Sequence, residues 1–354
     1  MIPPRKTILR VEKYQPPLSE RRGKLRLDFN ENTIGPSPKV IKAIMNTQIE
    51  SISVYPEYDA FYEKLAKHLN IKKTELIVTN ASDEAIKLIM DTYIELGDEI
   101  VLPVPTFPMF KIYASISGAK LKNVHYKKDL SFPIDDVLKA ISDKTKLVVL
   151  VNPNNPTGTL IERNDIIKII IKAKNSIVLI DEAYVHFSKQ SCMGMINKYK
   201  NLIIVQTFSK AYGLAGLRIG YLVSSVENIK NIQKACSPYS VNAIAILSAI
   251  TSLDVLEYLN NYVDEVELSK KLLYSELKKL DIKTYPSYAN FILADFGRDS
   301  KLIQDRLRDN GILIRDRSSD RLLKGCIRIT LGTVKQTKEF IKELGGFLQH
   351  NKNP

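Results

Sequence analysis

Residues 202–223 read L-I-I-V-Q-T-F-S-K-A-Y-G-L-A-G-L-R-I-G-Y-L-V. The two apolar runs at either end, 202–205 and 219–223, have the length and composition of buried strands. The connection between them sets Lys210 among small and hydroxyl residues and carries Arg218 eight residues further on. Lys210 is therefore expected at the end of a strand, on a loop. A neutral lysine amine condenses with carbonyl groups, and burial or neighbouring positive charge shifts a lysine toward that form. An arginine has the planar fork that holds a phosphate. Taken alone, the stretch reads as a surface lysine beside a structural arginine, and the rest of the chain decides between the two.

Further apolar runs lie at 76–78, 100–102, 147–151 and 177–180, with helical spacing between several of them, such as Ile86, Ile89, Met90 and Tyr93. Short, wholly apolar strands alternating with helices predict an α/β fold, a mainly parallel sheet covered on both faces. Ligands of such sheets bind outside the carboxyl ends of the strands. From about residue 243 the rhythm changes to long helical stretches over 243–280, then a shorter α+β tail. The chain is thus expected to comprise a large domain over 46–242 and a smaller α+β domain over 243–354. Residues 1–45, rich in proline and turns, are expected to form an arm that joins the smaller domain. Ser37 before Pro38 predicts a helix start, and Phe61, Leu65 and Leu69 a second helix.

The composition narrows the function classes. With 354 residues, 44% hydrophobic and 26% charged, the chain is that of an ordinary soluble globular protein. A net charge of +13 attracts anions, but the lysines are spread in short groups such as Lys72-Lys73 and Lys270-Lys271. A solvated face and small anionic substrates are expected, and no nucleic acid. Cys192, Cys236 and Cys326 form no C-x-x-C pair, which predicts free, packed thiols in a reducing compartment. No apolar run approaches membrane-spanning length and the first residues lack a signal-type apolar core, so a cytoplasmic protein is expected. The four histidines are isolated from one another, and no metal site is expected.

Four strand ends offer polar groups. After 76–78 comes N-A-S-D-E at 80–84, a helix start whose free N–H groups make an anion site. The Asp83 and Glu84 carboxylates would repel a phosphate, so only the backbone amides and the Ser82 hydroxyl suit one; an ordinary helix cap reads the same way. After 147–151 comes N-P-N-N-P-T-G at 152–158, a stiff turn able to aim an asparagine amide inward. After 177–180 comes D-E-A-Y, in which Asp181 needs a cationic or hydrogen-bonding partner if buried. The fourth is the Lys210 loop. A phosphate cup, an amide, an acid with a phenol three residues on, and a lysine are together what pyridoxal phosphate requires.

These motifs, with N-E-N-T-I-G-P-S-P, P-T-F-P-M-F and C-I-R-I-T-L-G-T, run over nearly the whole chain. On them the chain resembles the class I/II aminotransferases of pyridoxal-phosphate fold type I, most closely their histidinol-phosphate subgroup. The resemblance implies a seven-stranded, mainly parallel sheet in the large domain. It implies that Lys210 holds the cofactor aldehyde and shuttles a proton, that Asp181 holds the pyridine nitrogen, and that Tyr184 and Asn155 bond the ring oxygen. Phe107 would stack on the ring. Backbone donors near Ser82 and Asp83, the Thr207 and Ser209 hydroxyls, Arg218, and Tyr55 from a second subunit would hold the phosphate, which implies a homodimer with shared sites. Arg328 would take a substrate carboxylate and Arg315 a substrate phosphate, with Tyr14 and the arm from Asn30 to Asn32 closing over them. Thr33 departs from the family's usual proline. The implied reaction passes an amino group between glutamate/2-oxoglutarate and histidinol phosphate/imidazole-acetol phosphate, in histidine biosynthesis. The alternatives are an aminotransferase of aromatic amino acids and a decarboxylase of a phosphorylated amino acid such as O-phosphothreonine.

Overall fold

The computed structural model of the protein describes residues 2–13 and 20–350. Its centre is a seven-stranded sheet of β1 (Leu76–Thr79), β2 (Glu99–Val104), β3 (Lys120–His125), β4 (Thr145–Val151), β5 (Ile177–Asp181), β6 (Leu202–Thr207) and β7 (Gly220–Ser224). In space the order is β1-β7-β6-β5-β4-β2-β3. Only β7 runs against its neighbours, so the mainly parallel sheet expected from the sequence is the one observed.

The strands read as continuous apolar runs because both faces are covered. Val148, Leu150, Val178, Ile180 and Ile204 enter one hydrophobic core, while Leu147, Val149, Leu179, Ile203 and Val205 enter another. Alternate residues of one strand therefore serve opposite layers. Strand β3 was not among the strands expected from the sequence. It lies at the sheet edge, and of K-L-K-N-V-H only Val124 is buried, so it lacks the apolar run that marks the others.

Helices α1 (Pro38–Met45) and α2 (Asp59–Leu69) start the covering layers, α1 with the Ser37 hydroxyl accepting from the Lys39 N–H as its cap. Helix α3 (Ala81–Tyr93) follows β1, and α4 (Pro108–Ser117) follows β2. The start of β7 presses against the first turn of α3. A Cβ on Gly220 would lie 2.8 Å from the Gln206 carbonyl oxygen and 2.9 Å from the Ser82 nitrogen, so glycine is required for that approach.

The later half forms α5 (Ala243–Leu253) and α6 (Leu256–Lys279), the helical stretches expected over 243–280, with axes bent by 79° to one another. A four-stranded antiparallel sheet follows, built from β8 (Lys283–Tyr285), β9 (Phe291–Asp295), β10 (Arg315–Asp316) and β11 (Cys326–Thr330) in the order β10-β11-β9-β8. Among the described residues no single helix is long and apolar enough to cross a membrane.

The N-terminal segment is more deeply built in than its turn-rich sequence suggested. Leu25–Arg26 pairs in parallel with Ile312–Leu313, and the Leu27 carbonyl accepts from the Thr330 N–H. Leu27, Asp28, Asn30 and Asn32 are all buried. Pairing satisfies the backbone there and permits burial despite the polar sequence.

Candidate active site

A cavity of about 460 Å³ opens at the carboxyl ends of the central strands. Its wall contains Ser82, Asp83, Phe107, Asn155, Asp181, Tyr184, Thr207, Ser209, Lys210, Arg218, Arg315 and Arg328, residues drawn from segments far apart in the sequence. Two other described candidates, Asn32 and Tyr55, are not in that wall. Asn32 is buried elsewhere, its amide donating to the Ala211 carbonyl at 2.9 Å and its oxygen accepting from Ile34 and Gly35 N–H, so it shapes a turn and does not close over the cavity. Tyr55 is 73% exposed and stacks on Tyr239 at 4.4 Å. Tyr14 lies outside the described residues.

Lys210 and Asp181 mark the floor. The Lys210 amine donates to the Phe29 carbonyl at 3.0 Å. Burial and then the Arg328 charge pull its pKa down to about 8, toward the neutral amine that attacks carbonyls. Asp181 ends β5 and accepts from the Ala183 N–H at 3.0 Å. Burial pushes its pKa up to about 7. No side-chain cation bonds it among the described residues, so the partner expected from the sequence is a backbone amide on one side, with the cavity on the other. The adjacent Glu182 points away into a buried cluster, receiving the Gln206 amide and the Ser191 hydroxyl, each at 2.7 Å.

At one end of the cavity, the first turn of α3 presents N–H groups that have no intrahelical acceptor. The two acids of that turn are disarmed. Asp83 pairs with the Arg218 guanidinium at 2.6 Å, and Glu84 folds back onto the Asn80 N–H and the Ser240 hydroxyl. Arg218 is held in the left-handed region at φ +56° and also donates to the Ala215 carbonyl. The Thr207 and Ser209 hydroxyls sit 2.9 Å apart beside it. Backbone N–H, hydroxyls and one arginine are thus gathered at this end, donors of the kind an anion takes.

In the middle, the Tyr184 phenol oxygen receives the Asn30 amide at 2.9 Å and the Asn155 amide at 3.2 Å. Asn155 is in turn fixed by Arg328, whose guanidinium donates to its oxygen at 2.6 Å. Asn154 binds the Pro105 carbonyl and the Thr106 hydroxyl, which ties this turn to the loop that carries Phe107. The far end holds Arg315, Arg317 and Arg328 together with Arg21. Arg21 bonds both Asp28 and Glu31 at 2.7 Å and lies 4.1 Å above the Phe29 ring. Burial alone would raise the Glu31 pKa, but the Arg21 and Arg26 charges override it and hold the carboxyl below its ordinary range.

Arg21 and Arg317 were not singled out from the sequence, and Glu31 entered only as part of the arm from Asn30 to Asn32. For Arg317 a signal existed: it lies two residues after Arg315 on extended chain, a spacing that returns to the same face. Arg21 sits in the turn-rich arm, where nothing local marks it. The donor set fits pyridoxal phosphate. It offers an acid for a protonated ring nitrogen, two groups for a ring oxygen, an amine for an aldehyde, an aromatic face at Phe107 and an anion cup.

Residues 22–344 match the profile of the family described as Aminotransferase class I and II. The histidinol-phosphate aminotransferase of Thermoanaerobacter sp. (strain X514) is 40% identical over 326 residues, covering 90% of this chain and 92% of that protein. The crystal structure of histidinol-phosphate aminotransferase from Sinorhizobium meliloti in complex with pyridoxal-5'-phosphate superposes with a TM-score of 0.86 at 26% identity, over 92% of this chain and 91% of that one. L-threonine-O-3-phosphate decarboxylase from Porphyromonas gingivalis has a TM-score of 0.81 at 26% identity, over 92% and 99% of the two chains. With the profile matched across nearly all of its length, the chain belongs to the class I and II aminotransferases.

Proposed function

We propose that this protein is a pyridoxal-phosphate-dependent aminotransferase that moves an amino group from glutamate to imidazole-acetol phosphate, forming 2-oxoglutarate and histidinol phosphate in histidine biosynthesis. The observation that carries this reading is one cavity that Lys210 lines together with two sets of anion donors, Thr207, Ser209 and Arg218 in one and Arg315, Arg317 and Arg328 in the other. The first set suits the cofactor phosphate, the second a phosphorylated or carboxylated substrate. The names of relatives at 36–40% identity give the substrate.

When bound, pyridoxal phosphate supplies an aldehyde for amine exchange and an electron-withdrawing ring. The N–H groups at Ser82 and Asp83, the hydroxyls of Thr207 and Ser209, and Arg218 would hold its phosphate. Phe107 would pack on the ring face, and the Asp181 carboxylate would keep a proton on the ring nitrogen. Tyr184 and Asn155 would hydrogen-bond the ring oxygen. The Lys210 Nζ, neutral at mildly alkaline pH, would accept the proton from the substrate α-carbon and hold it for return. Arg328 orients the substrate carboxylate as a fork, and Arg315 takes the substrate phosphate.

The same reading makes the protein a cytoplasmic homodimer. An exposed apolar face around Met45, Ile49, Ile52, Val54 and Tyr55 supports a second copy covering it, with Tyr55 then reaching the neighbouring phosphate cup. The chain divides into a large domain over 46–242 and a small domain over 243–354, with 1–45 joined to the latter, a division supported by the separate seven- and four-stranded sheets and by the pairing of Leu25–Arg26 with Ile312–Leu313. Decarboxylation of a phosphorylated amino acid is the second reading, favoured by the similarity to the phosphothreonine enzyme.

Glutamate separates the two readings: an aminotransferase releases one 2-oxoglutarate per bound cofactor in a single turnover, and a decarboxylase none. Borohydride reduction of the loaded protein followed by peptide mass spectrometry will place the cofactor on Lys210, and Lys210→Ala will lower turnover by at least about 10³-fold. Labelling at another lysine, or turnover retained in the variant, would sink the assignment. Sedimentation of the loaded protein at micromolar concentration will give a two-chain species; a fully active monomer would refute the shared site.

Asp181→Asn will act in opposite directions on two quantities. Because the folded carboxyl holds its proton more tightly than the ordinary value of 3.8, up to about 7, the parent apoprotein loses stability as pH rises through that window. The variant lacks this loss. Urea unfolding at pH 8 will show the apo variant more stable by roughly 2–4 kcal/mol, with the gap closing toward pH 4. Its cofactor affinity will fall at the same time. Equal stability of the two proteins at pH 8 would contradict the burial account.

A further inference from the structure

Asn30 lies in the arm that sequence reading assigned to the substrate, yet its side chain turns inward. It is 0% exposed and sits at φ +56°, a left-handed conformation that asparagine tolerates better than other residues with a Cβ. Its backbone N–H donates to the Thr330 hydroxyl at 3.0 Å, that hydroxyl donates to the Asn30 side-chain oxygen at 3.1 Å, and the Asn290 amide donates to the Asn30 carbonyl at 3.1 Å. With its oxygen engaged by Thr330, the amide nitrogen is directed onto the Tyr184 phenol oxygen. Asn155 donates to the same oxygen and is aligned by Arg328. Thr330 and Arg328 are two residues apart on β11, so one strand of the small sheet aligns both amides.

We propose that Asn30 is a positioning residue that makes Tyr184 a hydrogen-bond donor toward the cofactor's ring oxygen. A phenol oxygen has two acceptor sites and one hydrogen. When two amides fill the acceptor sites, any further hydrogen bond this oxygen makes is one in which it donates. The ring oxygen opposite is then kept as an unprotonated acceptor. The left-handed backbone at Asn30, clamped to Thr330, fixes the direction of the amide.

The inference rests on the pyridoxal-phosphate reading, and one titration separates its failure from the failure of that reading. The visible absorbance of the loaded enzyme is followed against pH in the parent, Asn30→Gly, Asn30→Asp, Tyr184→Phe and the double variant Asn30→Gly with Tyr184→Phe. Glycine keeps the left-handed backbone available and removes only the side chain. Loss of a donor behind the phenol will raise the absorbance midpoint by about one pH unit in Asn30→Gly, a tenfold change in proton affinity. The shift will be at least as large in Asn30→Asp, whose carboxylate only accepts. In the Tyr184→Phe background, Asn30→Gly will add no further shift, since the effect passes through the phenol. Thr330→Val, which frees the amide without touching it, will give a smaller shift of the same sign and serves if Asn30→Gly does not fold. No shift in a folded, loaded Asn30→Gly or Thr330→Val protein, or an equal shift with and without the phenol, overturns the proposal. A parent protein that binds no pyridoxal phosphate overturns the functional reading instead.

Discussion

The hydrogen bonds that converge on the Tyr184 oxygen are the joint on which the molecule is assembled. Asn30 comes from the N-terminal arm, Asn155 from the turn after β4, and Tyr184 from the loop after β5. Behind the two amides stand Thr330 and Arg328 of the small antiparallel sheet. Three parts of the chain that share little local sequence are thereby held to one phenol. In a buried setting each of these polar groups is costly if left unpaired, so the network specifies a single arrangement of arm, large sheet and small sheet.

The cavity floor depends on the same burial. Lys210 and Asp181 are each driven toward the neutral form by desolvation, the amine to about 8 and the acid to about 7. A neutral amine is the nucleophilic form, and a buried acid facing a protonated ring nitrogen gains a charge partner it does not have within the chain. Stability forgone at these two groups is what equips the site, a pattern common where strand ends present ionisable groups to a ligand.

Much of this was legible in the sequence because the strands carry uninterrupted apolar runs and the polar motifs follow them directly. Lys210, Asp181, Tyr184 and Asn155 each stand at or just beyond the carboxyl end of a parallel strand, and Arg218 stands just before β7, which runs the other way, so all five reach one edge of the sheet. What was not legible has physical causes. Strand β3 is an edge strand whose exposed face is polar, and the depth of the arm depends on pairing between residues nearly 300 positions apart. Asn32 looked like an arm residue reaching for substrate, but its amide and carbonyl are spent on a local turn and on Ala211. Arg21 and Glu31 become part of the cavity only because the arm folds back over it.

Substrate choice is the central claim, since the fold and the lysine serve many reactions. The direct measurement supplies imidazole-acetol phosphate and glutamate to the loaded protein and quantifies both products by mass spectrometry. Histidinol phosphate and 2-oxoglutarate formed in a one-to-one ratio is the result this account requires. Release of carbon dioxide from O-phosphothreonine with no histidinol phosphate formed would contradict it.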